Sequence, residues 1–139
     1  MTIICVRDGV MAADSGCWSD DLAFGSVTKI VRVNGDLVAG AGEAEVVEQF
    51  YAWIRGGQER PAPLDKETEF GALMLRADGI WRIGRSFVFY RDPSPFAAEG
   101  MHRQFAMGVM ATGRSAEEAV RLCIEHGAWA RGPVQVERR

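Results

Sequence analysis

The sequence lacks several features that mark particular classes of protein. No apolar run approaches the roughly 20 residues that a membrane-spanning helix needs, and the first residues do not have the charged and apolar regions of a signal peptide. The 16 basic and 19 acidic residues give a formal charge of −3, so there is no basic excess to attract nucleic acid or anionic lipid. We therefore expect a cytoplasmic protein with no nucleic-acid partner and no membrane partner.

Cysteine is also scarce. The three cysteines, Cys5, Cys17 and Cys123, form an odd and widely spaced set without the paired spacing of zinc ligands. This pattern disfavours disulfides and a metal site, and it favours a reducing compartment in which the cysteines act as small apolar side chains. We expect no metal and no cofactor.

The chain has the size and composition of one folded domain. Its 139 residues are enough to bury a core but too few for two full domains. The content of 47% hydrophobic and 25% charged residues is ordinary for a folded protein. A single domain over residues 1–139 is the prediction.

Three two-residue turn signals, Asp8-Gly9, Asn34-Gly35 and Asp78-Gly79, are each flanked by apolar or β-branched residues. Each signal predicts a β-hairpin with a type I′ turn. The predicted strand pairs are 2–7 with 10–15, 28–33 with 36–41, and 70–77 with 80–85.

Helices are predicted between and after these hairpins. Val46, Val47, Phe50 and Ile54 recur at helical spacing until Gly56-Gly57 stops the run, and residues 57–69 are predicted to form a loop. For residues 57–69 a short helix is the alternative to a loop. Further elements are predicted as a strand over 96–98, a helix near 101–111, a helix that begins with the capping box of Ser115 and Glu118, and a strand over 134–137. Hairpins separated by helices favour an α+β layered protein with antiparallel sheets over a doubly wound parallel sheet.

The N-terminus carries a candidate nucleophile. Thr2 follows Met1, so removal of Met1 would give one residue both a hydroxyl and a free α-amine. A threonine hydroxyl needs a base within hydrogen-bond reach, and an α-amine with a pKa near ~7.7–8 can be that base.

Hairpin register places one charged residue, Asp14, near Thr2, and pairs a second, Lys29, with a glycine. With Asp8-Gly9 as the turn, Ile3 faces Asp14, which puts Thr2 diagonally beside Asp14. In the second hairpin Lys29 faces Gly40, where a glycine leaves space for a substrate backbone. Taken singly, Asp14 could equally be a carboxylate at a strand end and Lys29 a solvated lysine; their spacing relative to Thr2 favours a site.

Several motifs together resemble a known family. They are Val-Met-Ala-Ala-Asp-Ser at 10–15, Thr28-Lys29-Ile30, Leu-Val-Ala-Gly-Ala-Gly at 37–42, the helix from Ser115, and Gly132-Pro133-Val134. This set resembles the proteasome β subunits and the bacterial HslV peptidase, which are N-terminal nucleophile (Ntn) hydrolases. The resemblance implies an αββα four-layer sandwich with antiparallel sheets, a homo-oligomeric ring and an unfoldase or assembly partner.

The resemblance also assigns roles to residues. It implies Thr2 as the nucleophile, with Asp14 and Lys29 as its charged partners, in a threonine-type peptidase that cleaves polypeptides. Backbone amides at Gly40 and Gly42, ahead of a helix N-terminus, are the candidates for an oxyanion hole and for contacts with the substrate backbone. The same glycines are equally explained as turn formers.

One departure from the family supports a second function. Active relatives carry an aspartate and a serine before the last strand, whereas residues 127–132 read Gly-Ala-Trp-Ala-Arg-Gly. With Met1 retained, Thr2 would have no free amine. The alternative is therefore a catalytically silent structural ring or assembly subunit of a bacterial or phage particle, with a virion location if the chain derives from a phage.

Overall fold

The computed structural model describes all 139 residues, and it contains eleven strands and three helices. The strands are β1 Ile3–Arg7, β2 Val10–Ala13, β3 Gly16–Ser19, β4 Leu22–Ser26, β5 Val31–Val33, β6 Asp36–Gly42, β7 Phe70–Arg76, β8 Gly79–Ile83, β9 Phe89–Asp92, β10 Phe96–Gly100 and β11 Gln135–Arg138. The helices are α1 Ala44–Ile54, α2 Arg103–Ala111 and α3 Ala116–His126.

The first two hairpins have the predicted turns and registers. Asp8 and Gly9 have φ of 53° and 74°, and Asn34 and Gly35 have φ of 51° and 87°, as a type I′ turn requires. Arg7 pairs with Val10 across the first turn, and Val33 pairs with Asp36 across the second. The strand β5 is shorter than predicted, because residues 27–30 have no regular secondary structure.

The third hairpin differs from its prediction by two residues of register. Arg76 pairs with Gly79, so the turn consists of Ala77 and Asp78. Gly79 lies within β8 with a φ of 129°, where a Cβ would meet the Arg91 guanidinium at 2.5 Å. The glycine thus allows the positive φ at the start of β8 and is not part of a type I′ turn.

The strands form three antiparallel sheets. The orders are β10-β1-β2-β11, β3-β4 and β5-β6-β7-β8-β9. The strands β3, β4 and β9 were not predicted. The strand β4 reads Leu-Ala-Phe-Gly-Ser, in which apolar and polar residues do not alternate, and the side chains of Leu22 and Phe24 are exposed.

The larger two sheets face each other across one core. Alternate residues of β1 and β2, such as Ile4, Val6 and Met11, pack with Leu37 and Leu73 of the other sheet. The intervening residues of β1 and β2 pack against α2 and α3, and the outer face of the five-stranded sheet packs against α1. The site residues discussed below lie at one end of the first core.

The predicted Ntn-hydrolase αββα four-layer sandwich is corrected by this architecture. Strands take 38% of the residues and helices 22%, and there are three antiparallel sheets. On the outer face of the five-stranded sheet only α1 is helical, because Gly56-Gly57, Pro61 and Pro63 interrupt the chain that follows. The protein is β-rich with three short helices, and none of these helices is long and apolar enough to cross a membrane.

Candidate functional site

The side chain of Lys29 is buried and its ammonium is fully hydrogen-bonded. Nζ donates to Thr2 Oγ1, Asp14 Oδ1 and the carbonyl of Met1, each at 3.0 Å. An ammonium has three protons and no acceptor, so three oxygen partners match its charged form. The two hairpins therefore bring together the three residues that the sequence analysis singled out.

Asp14 lies at the end of β2 and has no exposed surface. Its Oδ1 accepts from the Ile3 amide and Lys29 Nζ, both at 3.0 Å, and its Oδ2 accepts from the amides of Gly16 and Arg131, both at 3.2 Å. Four donors, one of them charged, compensate the buried carboxylate. The group is therefore held in one orientation toward Lys29.

Burial and neighbouring charge alter the protonation of the two amines. Burial lowers the pKa of Lys29 from its ordinary 10.5, while the Asp14 carboxylate opposes this change. Burial also lowers the pKa of the Met1 amine from 8.0, and the positive charge of Lys29 lowers it further. Burial thus favours a neutral α-amine at the N-terminus, whereas Asp14 opposes the loss of the Lys29 proton.

The backbone of Thr2 is held by β10. The Thr2 carbonyl accepts from the Met101 amide at 2.7 Å. At Gly100, where φ is 99°, a Cβ would lie 2.0 Å from that carbonyl oxygen. Only glycine allows this approach, so the end of β10 places the Thr2 hydroxyl beside Lys29.

A cavity of about 360 Å³ opens beside Thr2. Its walls include Met1, Gly42, Glu69, Glu99 and Arg103. A larger and more open cavity lies between α2 and α3, but it contains none of the three residues that meet at Lys29. Of these two cavities, only the one beside Thr2 has the candidate nucleophile in its wall.

Gly40 and Gly42 occupy different situations on β6. The Gly40 amide donates to the Tyr51 hydroxyl at 3.0 Å, and that hydroxyl donates to the Lys29 carbonyl at 2.7 Å. The Tyr51 hydroxyl thereby replaces the direct bond between Lys29 and Gly40 that the predicted register implied. Burial raises the pKa of this hydroxyl, so it remains a donor.

The Gly42 amide points away from β7. Glu43 donates to the Glu69 carbonyl, so the adjacent pair of Gly42 and Phe70 is a non-hydrogen-bonded pair of the ladder. Gly42 has a φ of 133°, and a Cβ there would meet the Glu69 carbonyl oxygen at 2.1 Å. Only Gly42 of the two predicted glycines lines the cavity, and its role as an oxyanion donor stays a prediction.

Residues near the end of the chain, Arg131 and Gln135, bind Asp14 and Lys29, and the sequence did not predict these contacts. The segment 127–132 contributes the Arg131 amide to Asp14, and the Gln135 side chain bonds to the backbone of Lys29 and Asp14. Tyr51 had one usable signal, since a buried tyrosine needs a partner for its hydroxyl. Gln135 had none, because it lies more than 100 residues from Lys29.

Comparison with solved structures finds Thiobacillus denitrificans BPH, alone and in complex with epoxomicin. Each structure aligns with a TM-score of 0.73 at 20% identity, and covers 98% of this chain. The alignments span 96% of the BPH chain in the epoxomicin complex and 95% of the BPH chain alone. This similarity shows a shared fold.

No protein-family model matches the sequence, and no curated protein matches it. The identification with proteasome β subunits and HslV that was made from the motifs is therefore corrected. The fold of this chain is that of the Thiobacillus BPH structures, and the functional argument depends on the geometry of this chain's own residues.

Proposed function

We propose that the chain is a threonine-type peptidase in which Thr2, after removal of Met1, is the nucleophile. The observation that carries this proposal is the position of Lys29 Nζ, which lies 3.0 Å from both Thr2 Oγ1 and the buried Asp14 carboxylate. A hydroxyl, an ammonium and a carboxylate in series, beside a cavity, form the constellation expected of an activated nucleophile.

The proposed reaction uses the amine that Met1 removal would free. The neutral Thr2 amine takes the proton from Oγ1, and the oxygen attacks the scissile carbonyl. Collapse of the tetrahedral intermediate breaks the C–N bond, and the leaving amine takes the proton. Water then attacks the resulting ester, with the same amine as base, and restores the hydroxyl.

Lys29 and Asp14 have distinct parts in this proposal. The Lys29 ammonium favours the deprotonated hydroxyl and the neutral amine through its charge. Asp14 keeps Lys29 charged and oriented, since its carboxylate opposes the loss of the Lys29 proton that burial favours. The Gly42 amide, which points away from β7 at the cavity wall, is the proposed oxyanion donor.

The proposed substrate is a polypeptide bound in the cavity beside Thr2. One of the structures that this chain resembles is a complex of Thiobacillus denitrificans BPH with epoxomicin. Because the two proteins share a fold, we propose epoxomicin as a ligand of this chain. The proposed compartment is the cytoplasm, which agrees with the three free cysteines.

A second function is favoured by a specific observation. Lys29 Nζ also binds the Met1 carbonyl, and residues 127–132 place a backbone amide, but no carboxylate or hydroxyl side chain, near Asp14. With Met1 retained, the chain would be a catalytically silent structural ring or assembly subunit of a bacterial or phage particle. The homo-oligomeric ring and an unfoldase or assembly partner are part of both proposals.

Intact mass and peptide hydrolysis distinguish the two functions. A preparation whose mass lacks Met1 is expected to hydrolyse peptides and to bind epoxomicin, with both lost or weakened in Thr2→Ala. If protein isolated from cells retains Met1 and shows no hydrolysis, the result supports the silent subunit.

A further inference from the structure

We propose that Gln135 is a positioning residue that holds the backbones of Lys29 and Asp14 in fixed relation to each other. The inference deepens the proposed peptidase function and rests on it. Gln135 begins β11 and touches neither Thr2 Oγ1 nor Lys29 Nζ, so its effect passes through the residues it binds.

The backbone of Lys29 needs such support. Residues 27–30 belong to no strand, although Lys29 is only 6% exposed. Its amide donates to Gln135 Oε1 at 2.8 Å, and its carbonyl accepts from Tyr51 at 2.7 Å. Two side chains therefore do what a neighbouring strand does elsewhere in the sheet.

The other end of the Gln135 amide faces the chain after β2. Gln135 Nε2 lies 2.6 Å from the Val27 carbonyl, 2.9 Å from Ser15 Oγ and 3.3 Å from the Asp14 carbonyl. Its two protons are shared among these three oxygens. A single side-chain amide thus connects the Asp14 end of β2 to the Lys29 amide and to the chain just before it.

The position of Gln135 outside the cavity determines the expected kinetic effect. Gln135 is not part of the wall of the cavity beside Thr2. Its loss should leave substrate binding intact and displace the Lys29 ammonium from Thr2 Oγ1. Small displacements of catalytic groups reduce the rate of the chemical step strongly.

The test compares Gln135→Met with Glu137→Gln in protein that begins at Thr2. Methionine is similar in length, but its sulfur is only a weak acceptor for the Lys29 amide and it cannot donate to Val27. Glu137 lies on the same strand, and its side chain pairs only with exposed Arg32. Peptide hydrolysis should show a kcat lower by about tenfold or more in Gln135→Met, with KM within about twofold, and neither constant changed in Glu137→Gln.

Amide hydrogen exchange gives a readout that does not need activity. The Lys29 amide should exchange about tenfold faster or more in Gln135→Met, while the Val6 amide in the core exchanges at the parent rate. An unchanged kcat, a loss expressed only in KM, or an unchanged Lys29 amide would overturn the inference. If the parent beginning at Thr2 has no hydrolysis, the proposed function fails, and Lys29 exchange alone decides the inference.

A second variant tests the inference if Gln135→Met does not fold. Gln135→Glu keeps an acceptor for the Lys29 amide but cannot donate to the carbonyls of Val27 and Asp14. A kcat below that of the parent, with KM retained, is expected. A kcat equal to that of the parent would show that the link from Gln135 to Asp14 is not needed.

Discussion

Two groups of charged residues hold separate parts of the chain together in this protein, and they are built differently. Asp14 and Lys29 meet at 3.0 Å with side-chain exposures of 0% and 7%. Arg82 binds Asp92 at 2.7 Å and Glu99 at 3.1 Å, and these three side chains are 10–24% exposed. The first group is buried with one charge of each sign, whereas the second is partly solvated and has a spare carboxylate.

The partners of the two groups also differ. Asp14 accepts from three backbone amides besides Lys29, and Lys29 directs one ammonium proton at the Thr2 hydroxyl. Arg82 connects β8, β9 and β10 and contacts no nucleophile. The comparison teaches that an ion pair becomes a candidate site when burial, backbone donors and a reactive hydroxyl coincide, since pairing alone is common in scaffolds.

The largest expected effect comes from neutralising one carboxylate in each group. Asp14→Asn leaves the Lys29 ammonium buried without a counter-charge and should lower the free energy of unfolding by about 3–5 kcal/mol. Asp92→Asn should cost about 0–1 kcal/mol, because Arg82 keeps Glu99 and water. Urea unfolding at neutral pH measures both; similar losses for the two variants would remove the distinction between the groups.

A smaller effect on stability is expected from replacing one glycine near the Asp14–Lys29 site and one near Arg82. Gly42→Ala, beside the site, forces a side chain onto the Glu69 carbonyl at a φ of 133° and should destabilise the fold by about 1–3 kcal/mol. Gly84→Ala, at the end of β8, has no atom within 4 Å of the new Cβ and should change stability little. Thermal unfolding of the pair checks this, and a stable Gly42→Ala would argue against the tight end of β6.

The smallest expected effect is a pH dependence. Because burial lowers the pKa of folded Lys29 below 10.5, the unfolded chain binds more protons between the two pKa values. The contribution of Lys29 to the unfolding free energy therefore rises with pH in that interval, by up to about 1.4 kcal/mol per pH unit.

The measurement subtracts variants from the parent. Unfolding free energies are determined as the pH rises from neutral to 10.5 for the parent, Lys29→Met and Arg82→Met. The rise due to Lys29 should be absent in Lys29→Met and present in Arg82→Met. Burial raises the thiol pKa values of Cys5 and Cys123, which gives an opposite trend in all three proteins, so that trend cancels when each variant is subtracted from the parent. An equal rise in all three proteins would assign the dependence to another group.

Local sequence signals predicted the part of the site that local pairing creates. Asp8-Gly9 set the register that brings Asp14 beside Ile3, and Asn34-Gly35 set the register of the second hairpin. Two-residue turns determine pairing without knowledge of the rest of the chain. For this reason the position of Thr2 beside Asp14 could be predicted, whereas the approach of Lys29 to both residues was implied only by the family resemblance.

Contacts between distant parts of the chain could not be predicted in the same way. Tyr51 reaches Lys29 from a helix, and Gln135 reaches it from the last strand. Both contacts depend on how whole helices and strands pack together, and no local pattern in the sequence determines that packing. The four-layer description came from the family resemblance and not from the elements of this chain, since residues 57–69, which were predicted as a loop, form neither helix nor strand and only α1 covers that face.

The central claim is that the hydroxyl of Thr2 is the nucleophile once Met1 is gone. The most direct measurement is peptide hydrolysis by protein whose intact mass shows that it begins at Thr2, in parallel with Thr2→Ala prepared in the same way. We predict turnover by the parent and a loss of about 10³-fold or more in the variant. Equal turnover by the two proteins, or no turnover by the parent, would contradict it.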